Sequence, residues 1–555
     1  MKNNKLVILA VSLIAIILIN VASGSLYKRF DLTKDGRYTL SETTIELIEQ
    51  ADVPLIIDVF LEGNLPSEFR ILQSETKSLI EEFQSINPLI KVNYIDPLED
   101  EAKRDYYISE LTKSGLEPYV LSSKESGKVS QELLFPWAFA SYDLETTKVP
   151  LLKRNLTDGE QDQITNSVQN LEFAFADAFN TILKAKEKKI AVLKGNGQLR
   201  DIETADALTA LGANYNLAEF TLDSVATNPV GTLKALSNFD LILSAKPTEP
   251  FTEEEKLVLD QYTMQGGKSI WFTESIIMEK DSLMNDNGNA VTIARDLNLN
   301  DFFFKYGVRV NQNLVKDLYS APIPLAFGEG NNTQFQPVQW TYSPLANADT
   351  IHPISNNINL VKFDFASQID TLKNGITKTV LLKSSTKTQL QGALQTVSLP
   401  GPGQDLDEAN YNAGIQNLAV LLEGEFNSVY KNRVLPFQLP GYLSDGKPSK
   451  IIVVGDGDVI RNEVSLNRPL QLGFDRFTGR TFGNKEFLLN AVNYLLDDSG
   501  LINIRSKSIE VAFMDSERIE DEKSTWQLVN IVLPLLILGL FGFLFNRIRK
   551  RKYAR

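Results

Sequence analysis

The chain has no cysteine and a single histidine, His352, among its 555 residues. The missing cysteines exclude disulfides, thiol redox chemistry, cysteine nucleophiles, iron–sulfur clusters and cysteine-type zinc sites. One histidine excludes any site with two histidine ligands, and a Ser-His-Asp triad would have to be built on His352. His352 precedes Pro353 in a polar stretch where nothing nearby completes a catalytic set. With 32 Gly and 22 Pro, the chain is neither low-complexity nor collagenous. No complete phosphate-binding loop is present. Gly266-Gly267-Lys268-Ser269 resembles the end of one, but Tyr262 stands where the first glycine belongs, and the glycines follow a helical pattern rather than a strand.

Net charge is −14, and its distribution is uneven. Lys2, Lys5, Lys28 and Arg29 lie at one end. Arg547, Arg549, Lys550, Arg551, Lys552 and Arg555 lie at the other. Setting those ten cations aside leaves −24 for residues 30–525. So acidic a body does not suit nucleic acid, which rewards basic surfaces.

Two long apolar runs frame the sequence. Leu6–Ala22 is uncharged and near the shortest length that spans about 30 Å of hydrocarbon. A cleaved signal peptide competes with an anchor for this run. The run is longer than the usual signal core and no A-x-A site follows, so an uncleaved anchor is expected. Leu528–Phe545 is the second run, with Trp526 before it and the basic tail after it. By the positive-inside rule the tail is cytoplasmic. Two spans then place the N-terminus there too, with the acidic body outside the cytoplasm.

The body reads as two α/β units. Ser41 caps a short helix through Gln50. Strands are expected at Leu55–Leu61, Leu89–Ile95, Tyr119–Ser122 and Val129–Ala140, the last two joined by a Lys124–Gly127 turn. Helices are expected at Glu68–Ser85, Glu99–Lys113 and Gln161–Lys184. The order βαβαββα is that of a thioredoxin-like fold, kept here only as a shape because the chain has no cysteine. After the charged break at Lys184–Lys189, strands at Ile190–Leu193, Leu241–Ser244, Ser269–Phe272 and Ile451–Val454 alternate with helices at Glu253–Gln265 and Lys485–Leu496. That alternation predicts a mostly parallel sheet covered on both faces. Residues 300–440 are richer in Asn, Thr, Gln and Pro and read as a β-rich insertion.

The clearest candidate for ligand chemistry is Gly455-Asp456-Gly457-Asp458, directly after a buried strand. Open α/β sheets bind ligands at the carboxyl ends of their strands. Asp456 and Asp458 suit a hard cation; a Gly/Asp turn that caps the following residues is the alternative. Gly195-Asn196-Gly197 follows another strand but lacks the third glycine of a dinucleotide fingerprint and fits a tight turn.

Several stretches together resemble the GldG family, gliding-associated auxiliary subunits of ABC transporters in Bacteroidetes. They are Phe30-Asp31-Leu32-Thr33 with Arg37-Tyr38-Thr39-Leu40-Ser41, then LEGNLPSEFRILQSET (61–76), KPTEPFTEEEKLVLDQYTMQGGKSIWF (246–272), AVLLEGEFNSVYKNR (419–433), IIVVGDGDVIRNEV (451–464) and LGFDRFTGRTFGNKEFLLNAVNYLLDDSGLINIRSK (472–507). The resemblance implies a non-catalytic, periplasmic subunit in the inner membrane that acts with a separate ABC ATPase and a separate permease. The lack of cysteine, the single histidine and the incomplete phosphate loop lead to the expectation of no cofactor and no metal. The resemblance also implies that the second unit is an amidotransferase-like fold without its nucleophile. Relatives often carry His and Glu in the turn that here reads Gly195-Asn196-Gly197-Gln198, a departure that counts against any binding those two residues serve; Asn196 stands with Asp456 and Asp458 as a candidate ligand residue. A membrane-anchored solute- or polysaccharide-binding protein is the alternative. The expected organisation is a transmembrane helix and flank (1–27), a thioredoxin-like domain (28–185), and an amidotransferase-like domain (186–515) with its insertion at about 300–440. A second transmembrane helix (526–546) and a basic cytoplasmic tail (547–555) complete it.

Overall fold

The computed structural model describes residues 12, 36–37, 39–125, 128–327, 334–348, 352–400, 406–497, 499–507, 509, 511 and 516–553. The apolar run Leu6–Ala22 (Ser12 apart), the motif at Phe30–Thr33, two residues of the Lys124–Gly127 turn and the last two residues of the tail lie outside them. The chain divides into two units, Met1–Ile509 and Glu510–Arg555.

In the first unit, the N-terminal part of the body starts with α1 (Glu42–Glu49), where the Ser41 hydroxyl accepts the N–H of Thr44. There follow β1 (Leu55–Val59), α2 (Ser67–Ile86), β2 (Ile90–Tyr94) and α3 (Arg104–Lys113). Next come β3 (Tyr119–Glu125), β4 (Lys128–Leu134), β5 (Trp137–Tyr142), β6 (Glu145–Pro150) and α4 (Glu160–Leu183). The sheet order is β2-β1-β5-β6, with β1 parallel to β2 and the other pairs antiparallel. Phe69, Leu72, Ile80 and Phe83 of α2 are buried, and Phe83 packs edge-on against Phe175 and Phe179 of α4.

Two details differ from the sequence expectation. The strand expected at Val129–Ala140 is two strands in two sheets. Pro136 has no N–H to donate to a ladder, and Trp137 N–H closes a tight turn onto Phe135 C=O at 2.8 Å. This frees β5 to pair with β1. The helix expected from Glu99 begins at Arg104, because Asp96 and Asp100 accept the N–H groups of Leu98 and Ala102 and hold the backbone in turns.

The rest of this unit is built on a seven-stranded sheet. Its elements are β7 (Lys189–Lys194), α5 (Asp201–Leu211), β8 (Asn216–Thr221), α6 (Pro229–Leu236), β9 (Leu241–Ala245), α7 (Glu253–Met264), β10 (Lys268–Phe272) and α8 (Asn300–Tyr306). Three further sheet strands follow, β11 (Thr377–Lys383), β12 (Asn417–Asn427) and β13 (Asp445–Val454), and later α9 (Asn484–Leu496). The order is β11-β12-β13-β10-β9-β7-β8. The five strands from β13 to β8 are parallel, and β12 and β11 extend them antiparallel. The segment read as an insertion therefore supplies two strands of the central sheet. It also forms small β-ribbons, such as Ser320–Phe327 against Gln334–Ala346.

Strand alternation explains the two-sided core. Leu241, Leu243, Ile270, Phe272, Ile452 and Val454 face one side with Ala207 of α5 and Phe487, Leu488 and Val492 of α9. Ile242, Trp271, Ile451 and Val453 face the other with Leu233 of α6, Leu257 and Tyr262 of α7, and Phe302 of α8. Helix α7 opens on the capping box of Thr252 and Glu255 and stops at Gly266, whose φ of +95° is left-handed.

The second unit contains α10 (Ser516–Tyr553). Its stretch Glu522–Lys552 is the one helix among the described residues that is long and apolar enough to cross a membrane. Five cations, Arg547, Arg549, Lys550, Arg551 and Lys552, fill its last turns.

Candidate functional site

Strands β9, β10 and β13 lie side by side and parallel, so their carboxyl ends form one edge. Register sets Phe272 opposite both Ala245 and Val454. Each strand then delivers a charged residue to that edge: Lys246 after β9, Glu274 after β10 and Asp456 after β13. The backbone turns sharply there. Lys246 has φ of 53°, in the left-handed region uncommon for a side chain with a Cβ, and its N–H still donates to Phe272 C=O at 2.9 Å. Two glycines permit the close packing. A Cβ on Gly455 would lie 2.3 Å from Ser367 C=O, and one on Gly457 would lie 2.3 Å from Cγ of Lys246.

The Lys246 side chain is only 2% exposed. Its Nζ lies 2.8 Å from Asp458 Oδ1, 2.8 Å from Glu279 Oε1 and 3.0 Å from Glu274 Oε1. Burial opposes the charge on this ammonium. Asp458, Glu274 and Glu279 outweigh burial and hold its pKa above the ordinary lysine value. Arg461 joins the same group, 2.7 Å from Glu203 and 3.3 Å from both Asp458 and Glu279. Arg295 lies 3.6 Å from Glu274.

Asp456 is fully buried. Its Oδ1 accepts the N–H of Asp458 at 2.7 Å and its Oδ2 accepts that of Asp364 at 2.5 Å. It thus caps the short turn Asp458–Ile460 and ties it to the segment carrying Asp364. Asp364 in turn pairs with Lys280 at 2.7 Å. Burial and the neighbouring Asp458 and Glu274 push the Asp456 carboxyl well above the usual range. Burial pushes Glu274 up to about 8, against the pull of Lys246.

Glu274, Asp456 and Asp458 offer carboxylate oxygens all within 4.8 Å of one another, a spacing that suits a hard cation. As it stands the group does not fit one. Lys246 Nζ already lies against two of the three carboxylates, and both Asp456 oxygens are engaged by backbone N–H groups. Lys246 acts here as the internal cation.

Asn196 serves a different turn. Its C=O accepts the N–H groups of Thr248 and Glu249, its N–H donates to Gln198 Oε1, and its side chain donates to Glu255 at 3.3 Å. It joins the end of β7 to the loop after Lys246, while the Asp456–Asp458 turn makes its own bonds to Lys246, Arg461 and Asp364. His352 caps a turn through its C=O, which accepts from Ser355 and Asn356, and its ring packs 4.6 Å from that of Tyr494. Sequence reasoning missed Lys246, Glu274, Glu279, Arg295 and Arg461. The available signal was a charged residue directly or nearly directly after a short apolar strand: LILSA then Lys246, SIWFT then Glu274.

A parallel α/β sheet with its carboxyl edge locked by ion pairs defines the class. The family described as "ABC-type uncharacterized transport system" matches residues 187–491, just over half of the chain. The chain belongs to this family of transport-system auxiliary components, and a domain of unknown function, DUF7088, matches residues 34–141. A search of curated proteins gave no match. Among solved structures, "mmIFT52 N-terminal domain" is similar at 14% identity and a TM-score of 0.30, over 56% of this chain and 98% of that one.

Proposed function

We propose that the chain is a GldG-type subunit: a non-catalytic, periplasmic component of an inner-membrane ABC transporter complex that serves gliding motility. It acts with a separate ATPase and a separate multi-span permease, and not with nucleic acid. The body stands outside the cytoplasm between two spans, with both termini inside. Residues 28–185 form a thioredoxin-like domain, in keeping with the sheet order β2-β1-β5-β6. Residues 186–515 form an amidotransferase-like domain that has lost its chemistry.

The observation that carries this reading is the family match over residues 187–491. The carboxyl edge of the sheet supports the non-catalytic part. Its carboxylates are paired with Lys246, Arg461 and Arg295. The α10 helix and its cations support anchorage, since polybasic segments stay on the cytoplasmic side of a span. The test is mild detergent extraction of native membranes with a tagged chain. An ATPase and a permease in stoichiometric amounts are expected in the purified particle. A chain that purifies alone from membranes containing both would overturn the reading.

A further inference from the structure

Between β13 and α9 the chain forms two small hairpins, β14 (Val464–Ser465) with β15 (Arg468–Pro469), and β16 (Phe474–Asp475) with β17 (Arg480–Thr481). The tip of the first is Leu466-Asn467, both in the left-handed region, with φ of 48° and 59°. This backbone turns Leu466 outward, and it is 96% exposed. The second turn presents Phe477, 53% exposed, with the Arg476 guanidinium stacked 4.6 Å from its ring centroid. Arg476 also reaches Glu463 at the base of the first hairpin, at 3.5 Å, so the two hairpins are tied together.

The exposed charges beside these apolar tips are cationic, and the part-exposed Glu463 is paired with Arg476. Arg468, Arg476 and Arg480 are exposed, whereas Asp475 is buried. Arg468 and Arg480 make no ion pair among the described residues. In a chain of net charge −14, these two arginines without an ion pair and Arg476 stand together beside exposed apolar groups. The comparison within the molecule is Leu144. It is 93% exposed on the hairpin tip between β5 and β6, but its neighbours are Asp143 and Glu145.

We propose that the Leu466 and Phe477 hairpins touch the surface of an anionic bilayer, with the apolar tips at the acyl boundary and Arg468, Arg476 and Arg480 among the lipid phosphates. Charge complementarity favours this occupant, since arginine pairs bidentately with phosphate and cations near an anionic surface are attracted to it. Shape favours it too. A stable protein partner covers about 800 Å² per side, whereas each of these tips presents one protruding apolar side chain, Leu466 or Phe477. A bilayer accepts single protruding side chains. The proposal rests on the membrane anchorage proposed above, and that anchorage is measured separately below.

The absence of cysteine makes the test direct. Leu466→Cys, Phe477→Cys and Leu144→Cys each create a unique thiol for an environment-sensitive fluorophore on the full chain. The labelled chains are reconstituted into nanodiscs of phosphatidylcholine with or without phosphatidylglycerol. Co-elution with the disc reports anchorage independently of the label. Blue-shifted emission and loss of iodide quenching are expected at 466 and 477 only with phosphatidylglycerol, while 144 stays quenched in both. Arg468→Glu with Arg480→Glu should abolish the shift. If 466 and 477 remain as quenched as 144 in anchored chains, the proposal falls. It falls equally if they become protected only when an added protein component of the complex is present.

Discussion

The Glu172 carboxylate and the Lys507 ammonium lie 3.1 Å apart, and through them one residue of α4 holds both ends of the folded body. Glu172 Oε1 accepts the Ser41 N–H at 2.7 Å and the Thr44 hydroxyl at 3.0 Å. Lys507 Nζ also donates to Thr39 C=O at 2.9 Å. The segment that enters the body at Thr39–Ser41 and the segment that leaves it at Lys507 are therefore bonded to each other and to α4.

Glu172→Ala removes the shared partner, leaving the shielded Ser41 N–H without its acceptor and the Lys507 cation without its counter-charge. A loss of about 2–4 kcal/mol is expected, in the range for breaking a buried charged hydrogen-bond group. The urea midpoint of the full chain in detergent measures it. Amide exchange should rise first at Ser41–Ile48 and Leu501–Lys507. Unchanged exchange there would show that these ends are held by the apolar contacts of Leu47, Leu501 and Ile504 alone.

Lys246 supports a second prediction. Lys246→Ala leaves Glu274, Asp456 and Asp458 facing one another without their central cation, and about 3–5 kcal/mol should be lost. Loss of the ammonium frees the oxygens of Glu274, Glu279 and Asp458 that Lys246 had held, a set of carboxylates suited to a hard cation. Millimolar Ca²⁺ or Mn²⁺ should raise the thermal midpoint of the variant and leave the native chain unchanged. Equal responses in the two proteins would show that the carboxylates do not act as a set. A midpoint for the variant that matches the native one without metal would show that Lys246 contributes little.

The gross architecture was legible because it rests on local pattern. Apolar runs such as LILSA and SIWF name buried strands, and Thr252 with Glu255 names a helix start. What escaped was whatever depended on distant partners. Nothing near Thr377–Lys383 or Asn417–Asn427 says that these strands join the central sheet, because the pairing is set by β13, which follows them in the chain. Helix α5 went unread since Ala207 and Leu211 are its few fully buried apolar positions. The site followed the same rule. Asp456 and Asp458 stand out as neighbours in the sequence. Lys246 and Glu274 lie more than 180 residues earlier and meet them only through sheet order.

Asp177 predicts a pH dependence. Its Oδ1 is shielded and accepts no hydrogen bond, and burial pushes its pKa up to about 6, with Arg505 opposing. The folded pKa is raised above the unfolded value of about 3.9. The folded chain therefore binds the proton more tightly, and this stabilisation is full below about pH 4 and lost as pH rises through about 6. Asp177→Asn removes the titration. At about pH 8 the variant should be more stable than the native chain by about 1–2 kcal/mol, with the difference vanishing near pH 4. Urea midpoints across that range give the answer. A gap independent of pH would assign the effect to packing instead.

The last prediction concerns α10. Pro534, Gly539 and Gly542 lie within its apolar stretch, and a Cβ at Gly539 or Gly542 would meet nothing within 4 Å. A span that only anchors has no need of such residues, which weaken a helix in water and let another helix approach closely in a bilayer. Replacing Leu528–Phe545 with a Leu/Ala span of equal length, while keeping Arg547–Arg555, separates the two roles. Insertion and orientation should be normal, because length and the positive tail set them. On the function proposed above, assembly with the permease should be lost, and gliding with it. If the complex forms with the replacement span, the glycine-bearing face is not an interface and the docking surface lies in the body. If insertion itself fails, Gly539→Leu with Gly542→Leu in the native span asks the same question with the anchor intact: a fully assembled complex in that variant would also rule the face out.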